Sequence, residues 1–310
     1  MRPPRIAPYG LHEMSFRDFG ALCLVCLVWA SNNILSKYVV SGLGVPPMFY
    51  AAVRFAVVAL AVFPWLLPAP RPRWRLIAVA LLMGGGNFAL LFIGFKTATP
   101  SAAAVVGQLG VPMTTLLSMV LLSEKVRWRR GVGIALTFLG AIAVMYDPHG
   151  FKVSPGLLYV VAAAFLGSLG AVMMKQMDGV KPLQFQAWVG FASFWPLAAL
   201  SALFEPGAIG LATHAGWVFV GAVLYSALVV SVTAHTVYYA LIQRYEANLI
   251  SPLTLMTPLA TIGLGVLIMH DPFDIRMAVG TVVALAGVLI IALRRNQVAA
   301  VLLALRSRGQ

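Results

Sequence analysis

The fold class this sequence predicts is an all-α membrane protein, with ten transmembrane helices in two inverted five-helix repeats. Three observations predict it: the composition, a series of ten apolar runs, and a likeness between the two halves of the chain. Apolar residues make up 61% and charged residues 10% of the 310 positions. Soluble domains sit near ~45–50% and ~25%. A soluble fold of this length has too little interior to hide so much apolar surface, whereas a bilayer accepts it on the outside. The net charge of +13 does not indicate nucleic acid. The basic residues lie in short gaps between apolar runs and at the two ends, where they meet anionic lipid headgroups and set topology.

The apolar runs fall near 19–38, 47–67, 76–95, 100–121, 132–146, 155–174, 184–204, 216–242, 247–269 and 272–293. A crossing needs about 20 residues to span ~30 Å at ~1.5 Å per residue. The fifth run is short but extends backward through Trp128 to Gly131. The runs are continuously apolar and do not alternate, so strands are not expected. Pro- and Gly-bearing gaps suit helical hairpins. Arg2, Arg5 and Arg17 precede a first run long enough to span, which reads as a retained helix and not as a cleaved signal. Four segments follow: a cytoplasmic stretch at 1–18, repeats at 19–146 and 155–293, and a basic cytoplasmic tail at 294–310 whose apolar residues 298–305 suit an interface.

Of the 22 Lys and Arg residues, seventeen fall in the N-terminal segment, alternate gaps and the tail. Four (Lys37, Lys96, Lys152, Arg276) fall in the intervening gaps, and Arg54 lies inside a run. Positive residues accumulate on the cytoplasmic side, so both termini are expected there.

The halves resemble each other. LSEKVRWRRGVGIALTFLGAIAV (122–144) aligns without a gap to MHDPFDIRMAVGTVVALAGVLII (269–291). Glu124 falls on Asp271, Gly133 on Gly280 and Gly140 on Gly287. Lys37 falls on Lys175, and VPPM (45–48) on VKPL (180–183). Five helices per half is an odd number, so the second half enters the membrane from the opposite side. Inverted repeats of this kind mark secondary transporters, whose sites lie near mid-membrane between the repeats.

Here the resemblance becomes specific. The first half carries LVWASNNILSKYVV, PPMFYAAVRF and the stretch from SEK to a GxxxxxxG pair; the second carries RYEANLISPLTLMTPL and its own GxxxxxxG. Over about residues 19–293 the sequence resembles the EamA family of the drug/metabolite transporter superfamily, and most of all its bacterial exporters of amino acids and their metabolites. The resemblance implies a transporter and not an enzyme, with helices one, three, four, six, eight and nine around a central cavity. Two positions depart from the family pattern. The tryptophan of the first helix is present as Trp29, but its second-half counterpart is Gly167; the second-half acid, usually Glu, is Asp271.

Polar residues inside spans cost several kcal/mol unless partnered, so each is a functional candidate. Arg54 sits about two turns into the second helix. A guanidinium there can grip a substrate carboxylate through two parallel hydrogen bonds; alternatively it snorkels outward or pins a neighbouring helix. Trp29, Asn32 or Asn33, and Ser36 recur at helical spacing and form one stripe. Such a stripe lines a cavity or acts as glue between helices. The eighth helix offers Ser231, His235, Tyr238 and Tyr239; the ninth offers Ser251, Thr254, Thr257 and Thr261. Asn87 follows three glycines in the third run, and Gln108 precedes Pro112 in the fourth. Pro112 and Pro258 free backbone carbonyls and permit bending. Gly133, Gly140, Gly280, Ala284 and Gly287 mark close helix packing. Asp271 followed by Pro272 reads as a helix cap with proline at the first helical position, and Glu124 as a charge at a helix start.

The chemistry excluded is also informative. No GxxxxGK[ST], HExxH or GxSxG is present, so neither ATP use nor hydrolysis is indicated. Cys23 and Cys26 lie within one apolar run with no second pair or His cluster to complete a metal site. No catalytic residue, cofactor or metal is expected. All nine acids fall at span ends or in gaps, which leaves His235 as the one deeply placed side chain of a type that titrates near neutrality. The expected function is a secondary transporter that moves an amino acid or its derivative out across a bacterial inner membrane by alternating access. Its partners are the small solute and membrane lipid. The alternatives are a permease for a sugar or a cationic solute, a channel, and an enzyme acting on lipid.

Overall fold

The computed structural model describes residues 14–123, 128–147, 152–177, 179–245, 250 and 252–292. Ser251, Glu124 and the 294–310 tail lie outside them. Ten helices form: α1 (Phe16–Gly42), α2 (Pro47–Ala61), α3 (Arg73–Gly94), α4 (Pro100–Leu122), α5 (Trp128–Met145), α6 (Pro155–Met174), α7 (Pro182–Phe204), α8 (Ala208–Ile242), α9 (Met256–Met269) and α10 (Ile275–Ala292). Eight are long and apolar enough to cross a bilayer; α2 and α9 are shorter. Neither is short for want of apolar sequence. The second run continues as a tight 3₁₀ turn at Phe63–Leu66, and α9 is preceded by a broken turn at residues 254–255. One small hairpin interrupts the helices: β1 (Tyr146–Asp147) pairs antiparallel with β2 (Lys152–Val153) between the halves.

Sequence chemistry sets the ends. Ser15 accepts from the Asp18 N–H and opens α1. Thr99 does the same for α4 through Ala102 N–H, with Pro100 at the first helical position. The α4 and α9 helices both stop on a left-handed residue, Ser123 (φ 54°) and His270 (φ 55°). These two sit at equivalent positions of the ungapped alignment, so the repeat seen in the sequence is a repeat of backbone geometry. Helix α8 kinks at Gly216 (φ 58°, ψ −141°). Only glycine accepts that conformation easily, and the eighth apolar run begins there.

The acid before Pro272 does not cap its own helix. Helix α10 starts later, at Ile275, and Asp274 takes that role by accepting from Met277 N–H at 2.7 Å. Asp271 is buried and reaches across to α4, where its Oδ2 accepts from Ser101 N–H (3.0 Å) and Ser101 Oγ (2.5 Å). It therefore satisfies donors at the start of α4 that the helix leaves free. Glu205 works similarly at the start of α2, accepting from the N–H groups of Met48 (3.0 Å) and Phe49 (2.8 Å).

Packing follows the repeat. Helix α1 packs on α8 and α9, as its counterpart α6 packs on α3 and α4; α2 packs on α7, and α5 on α10. The α5–α10 seam is built from glycine. A Cβ at Gly133 would meet Gly287 O at 2.7 Å, and one at Gly140 would meet Gly280 O at 2.5 Å. Small residues let two backbones approach this closely. Gly140→Val is expected to lower stability by about 1–3 kcal/mol or more, since the strain has no flexible side chain to absorb it. Thermal unfolding in detergent measures this, and an unchanged midpoint would contradict the seam. Outward-facing side chains such as Leu24, Leu60, Val120, Leu139 and Leu267 are exposed, with Trp74, Trp128 and Trp217 also exposed near helix ends. That is the surface a bilayer covers.

Candidate functional site

The spans are not uniformly wound, and Ser226 and Ser231 lie in one of their irregular stretches. Helix α3 is wide (π) at Leu81–Gly86, and its repeat partner α8 is wide at Tyr225–Ala234. Ahead of Pro112, α4 tightens: Gln108 N–H bonds Val105 O (3.0 Å) and Val111 N–H bonds Gln108 O (3.1 Å). Ahead of Pro258 the same pattern recurs, with Leu255 N–H on Pro252 O (3.2 Å) and Thr257 N–H on Thr254 O (3.0 Å). Proline lacks an N–H, so the carbonyl it would have served turns to a nearer donor. Gln108 and Thr254 thus sit on matching turns in the two halves. Wide turns and tight turns in membrane helices cluster at functional places.

The first-helix stripe meets α8. The Trp29 ring lies 5.2 Å from the His235 ring and 4.9 Å, edge-on, from Tyr238. Tyr239 completes the group, 5.9 Å from Tyr238 and 6.5 Å from His235. All four keep partial exposure within the bundle. Trp29 Nε1 is buried without a hydrogen-bond partner among the described residues. His235 Nδ1 lies 2.8 Å from Val230 O. A carbonyl only accepts, so Nδ1 carries the hydrogen and Nε2 is the nitrogen left for other contacts.

The two asparagines divide. Buried Asn32 faces α8: Tyr50 donates to Ser226 Oγ (2.6 Å), which donates to Asn32 Oδ1 (2.7 Å). Asn33 faces α9 and donates to Thr261 Oγ1 at 3.3 Å. Ser36 is fully buried, and its hydroxyl meets no partner among the described residues. Asn87 stands apart from this group and donates to Ala163 O on α6 at 2.7 Å. A Cβ at Gly167 would meet the Asn87 amide at 2.8 Å. The space that a second tryptophan would fill is taken by this amide, which is why the counterpart of Trp29 is a glycine.

Arg54 is fully enclosed. Its Nε (3.2 Å) and Nη2 (2.9 Å) donate to Ser231 Oγ, and its guanidinium lies 4.3 Å over the Phe88 ring. Nη1 is buried with no partner, and no described acid pairs with the charge. Of the three roles open to it from sequence, pinning a neighbouring helix is visible directly through the Ser231 hydroxyl, full enclosure excludes snorkelling outward, and the spare Nη1 leaves the carboxylate grip in place. Sequence reasoning missed Tyr50, Ser226 and Phe88. Tyr50 and Arg54 are four residues apart on one helix face, which is a usable signal. Ser226 and Ser231 are five apart and share no ordinary α face.

A duplicated helical membrane protein with a polar and aromatic cluster between its halves belongs to the class of solute transporters. The chain matches the model of the EamA-like transporter family over residues 19–146 and 154–293, and it belongs to that family. A probable amino-acid metabolite efflux pump of Salmonella typhimurium is 26% identical over 290 residues, covering 89% of this chain and 95% of that protein. A protein of the same description from Escherichia coli K12 is 25% identical over 292 residues, covering 89% and 95%. An uncharacterized transporter of Archaeoglobus fulgidus is 20% identical, covering 88% and 98%. A solved crystal structure, 19% identical and covering 89% of this chain and 96% of that one, superposes with a TM-score of 0.59. At that identity the likeness shows the fold alone.

Proposed function

We propose that this transporter exports an amino acid or amino-acid derivative across a bacterial inner membrane by alternating access, with both termini in the cytoplasm. The observation that carries the reading is Arg54: a buried guanidinium with a spare Nη1 and no acid partner among the described residues. An unpaired buried charge is costly, and a transiting carboxylate offsets that cost during the cycle. Trp29, His235, Tyr238 and Tyr239 form the surface against the rest of the solute, with Asn32, Asn33 and Ser36 beside them. Asn87 braces α3 against α6. Gln108 and Thr254 belong to the matching turns of α4 and the approach to α9, where bending alternates access. The names of the two efflux pumps support the amino-acid class, and the distribution of Lys and Arg supports the orientation.

Counterflow in proteoliposomes tests the reading. Vesicles preloaded with unlabelled amino acids and N-acylated amino acids are expected to take up label saturably, with mutual competition between carboxylate-bearing solutes. Trp29→Ala is expected to cut the rate about tenfold or more, since a buried aromatic contact is worth ~1–2 kcal/mol. Uptake of sugars or organic cations without competition by any amino acid would overturn the substrate class. Flux that never saturates would overturn the carrier.

A further inference from the structure

Helix α8 is wound wide between Tyr225 and Ala234. Three of its side chains reach back to a carbonyl five residues earlier. Ser231 Oγ donates to Ser226 O at 3.0 Å, Thr233 Oγ1 to Leu228 O at 2.9 Å, and His235 Nδ1 to Val230 O at 2.8 Å. Other hydroxyls that bond back along their own helix reach only three or four residues: Thr114 to Gly110, Thr137 to Gly133, Thr236 to Val232. The side chains of α8 therefore read the wide register and satisfy carbonyls that it opens.

Helix α2 touches this stretch at two points. Tyr50 donates to Ser226 at 2.6 Å. Arg54 donates to Ser231 through Nε and Nη2, at 3.2 and 2.9 Å. Tyr50 and Arg54 are one ordinary turn apart and share a face. Ser226 and Ser231 are five residues apart. In a helix of 3.6 residues per turn, five residues leave the two serines about 140° apart around the axis. The wide form, closing on the fifth residue, brings them toward one face. Both contacts from α2 can be made only when α8 is wide.

We propose that Tyr50 and Arg54 are a two-pronged clamp that selects the wide form of α8, and that Tyr50 and Ser231 are positioning residues of the transport site. What the clamp sets is rotation. The Tyr225–Ser226 end of the stretch bonds α1 through Ser31 (2.6 Å) and Asn32 (2.7 Å). The His235–Tyr238 end cages Trp29. Tightening α8 by one residue per turn rotates one end against the other by about 100° for each wide turn. Tyr225 and Ser226 then leave α1 while the cage stays in place. The transport consequence rests on the proposed function; the geometry of the clamp does not depend on which solute is moved.

Cross-linking tests this in the full chain carrying Cys23→Ala and Cys26→Ala. One pair, Ser31→Cys with Tyr225→Cys, reports the end before the wide stretch through a short bifunctional thiol reagent. A second pair, Leu22→Cys with Leu241→Cys, reports the apolar cluster beyond it, where both residues are buried. Tyr50→Phe and Ser231→Ala are each expected to lower the first link about tenfold, the scale of one buried hydrogen bond to or beside a charged group. The second link is expected to be unchanged. Ser231→Thr keeps the hydroxyl and is expected to restore the first link. In counterflow the same two substitutions are expected to raise KM more than they lower the maximal rate, because the assembled face is less populated. An unchanged first link in both variants, or equal loss of both links, overturns the clamp. Since cross-linking needs no solute, failure of the clamp and failure of the substrate class are read separately.

Discussion

Arg54→Lys is expected to reduce transport by ten- to a hundredfold while leaving most of the protein folded and extractable. The guanidinium donates from two nitrogens to Ser231 and lies over Phe88. Lysine keeps the charge but offers a compact, strongly hydrated head that cannot reproduce the fork or the stacking. Each hydrogen bond involving a charge is worth about 1.5–3 kcal/mol, so losing one of the two is a change of about ten- to a hundredfold. Counterflow rate and the detergent-solubilised monodisperse yield are the two readouts. Equal falls in both would reduce Arg54 to a folding residue with no part in transport.

An imposed pH gradient is expected to leave net flux nearly unchanged once the solute's own ionisation is corrected for. Asp18, Glu205, Asp271 and Asp274, the acids whose side chains the structure describes, are all held at helix ends: Asp18 by Arg244 (2.9 Å) and Tyr245 (2.6 Å), Glu205 by α2, Asp271 by Ser101, and Asp274 by Met277 N–H. None lies in the polar cluster. Coupling through His235 would place a second positive charge four residues along α8 from Ser231, which holds an arginine that no described acid pairs with. Transport down the solute's own gradient, or by exchange, needs no such state. The measurement compares proteoliposomes with and without an inward-acid gradient, for the native chain and His235→Gln. Gradient-driven accumulation that vanishes in the variant would make His235 the coupling residue.

The architecture was legible because its causes are strong and local. Continuous apolar runs mark spans, and glycine at GxxxxxxG marks a seam where backbones touch. Trp29, His235, Tyr238 and Tyr239 could each be picked out by helical spacing, but that their rings meet across α1 and α8 could not. Two further things were not legible. Asp271 has the look of a cap for the next helix, but three residues later the chain offers Asp274, and the helix starts there. Nothing in the local sequence says that a freed carboxylate will turn to α4. The pairing of Arg54 with Ser231 and of Tyr50 with Ser226 was hidden for a different reason. Periodicity arguments assume 3.6 residues per turn, and α8 departs from that period at Ser226 and Ser231.

The seam between α5 and α10 has an implication for how such a molecule divides its labour. Gly133 meets Gly287, and Gly140 meets Gly280, while the alignment pairs Gly133 with Gly280 and Gly140 with Gly287. Each half thus presents to the other the same surface that it receives. A surface that is its own complement lets one half join an upside-down copy of itself, and fusing the copies into one polypeptide adds nothing to the fit. What fusion adds is licence to differ. With assembly secured by the identical parts, Trp29 could keep its bulk on one side while Gly167 gave way to the Asn87 amide on the other. A symmetric frame thereby carries an asymmetric interior, and an asymmetric interior is what recognition of a solute with two unlike ends requires.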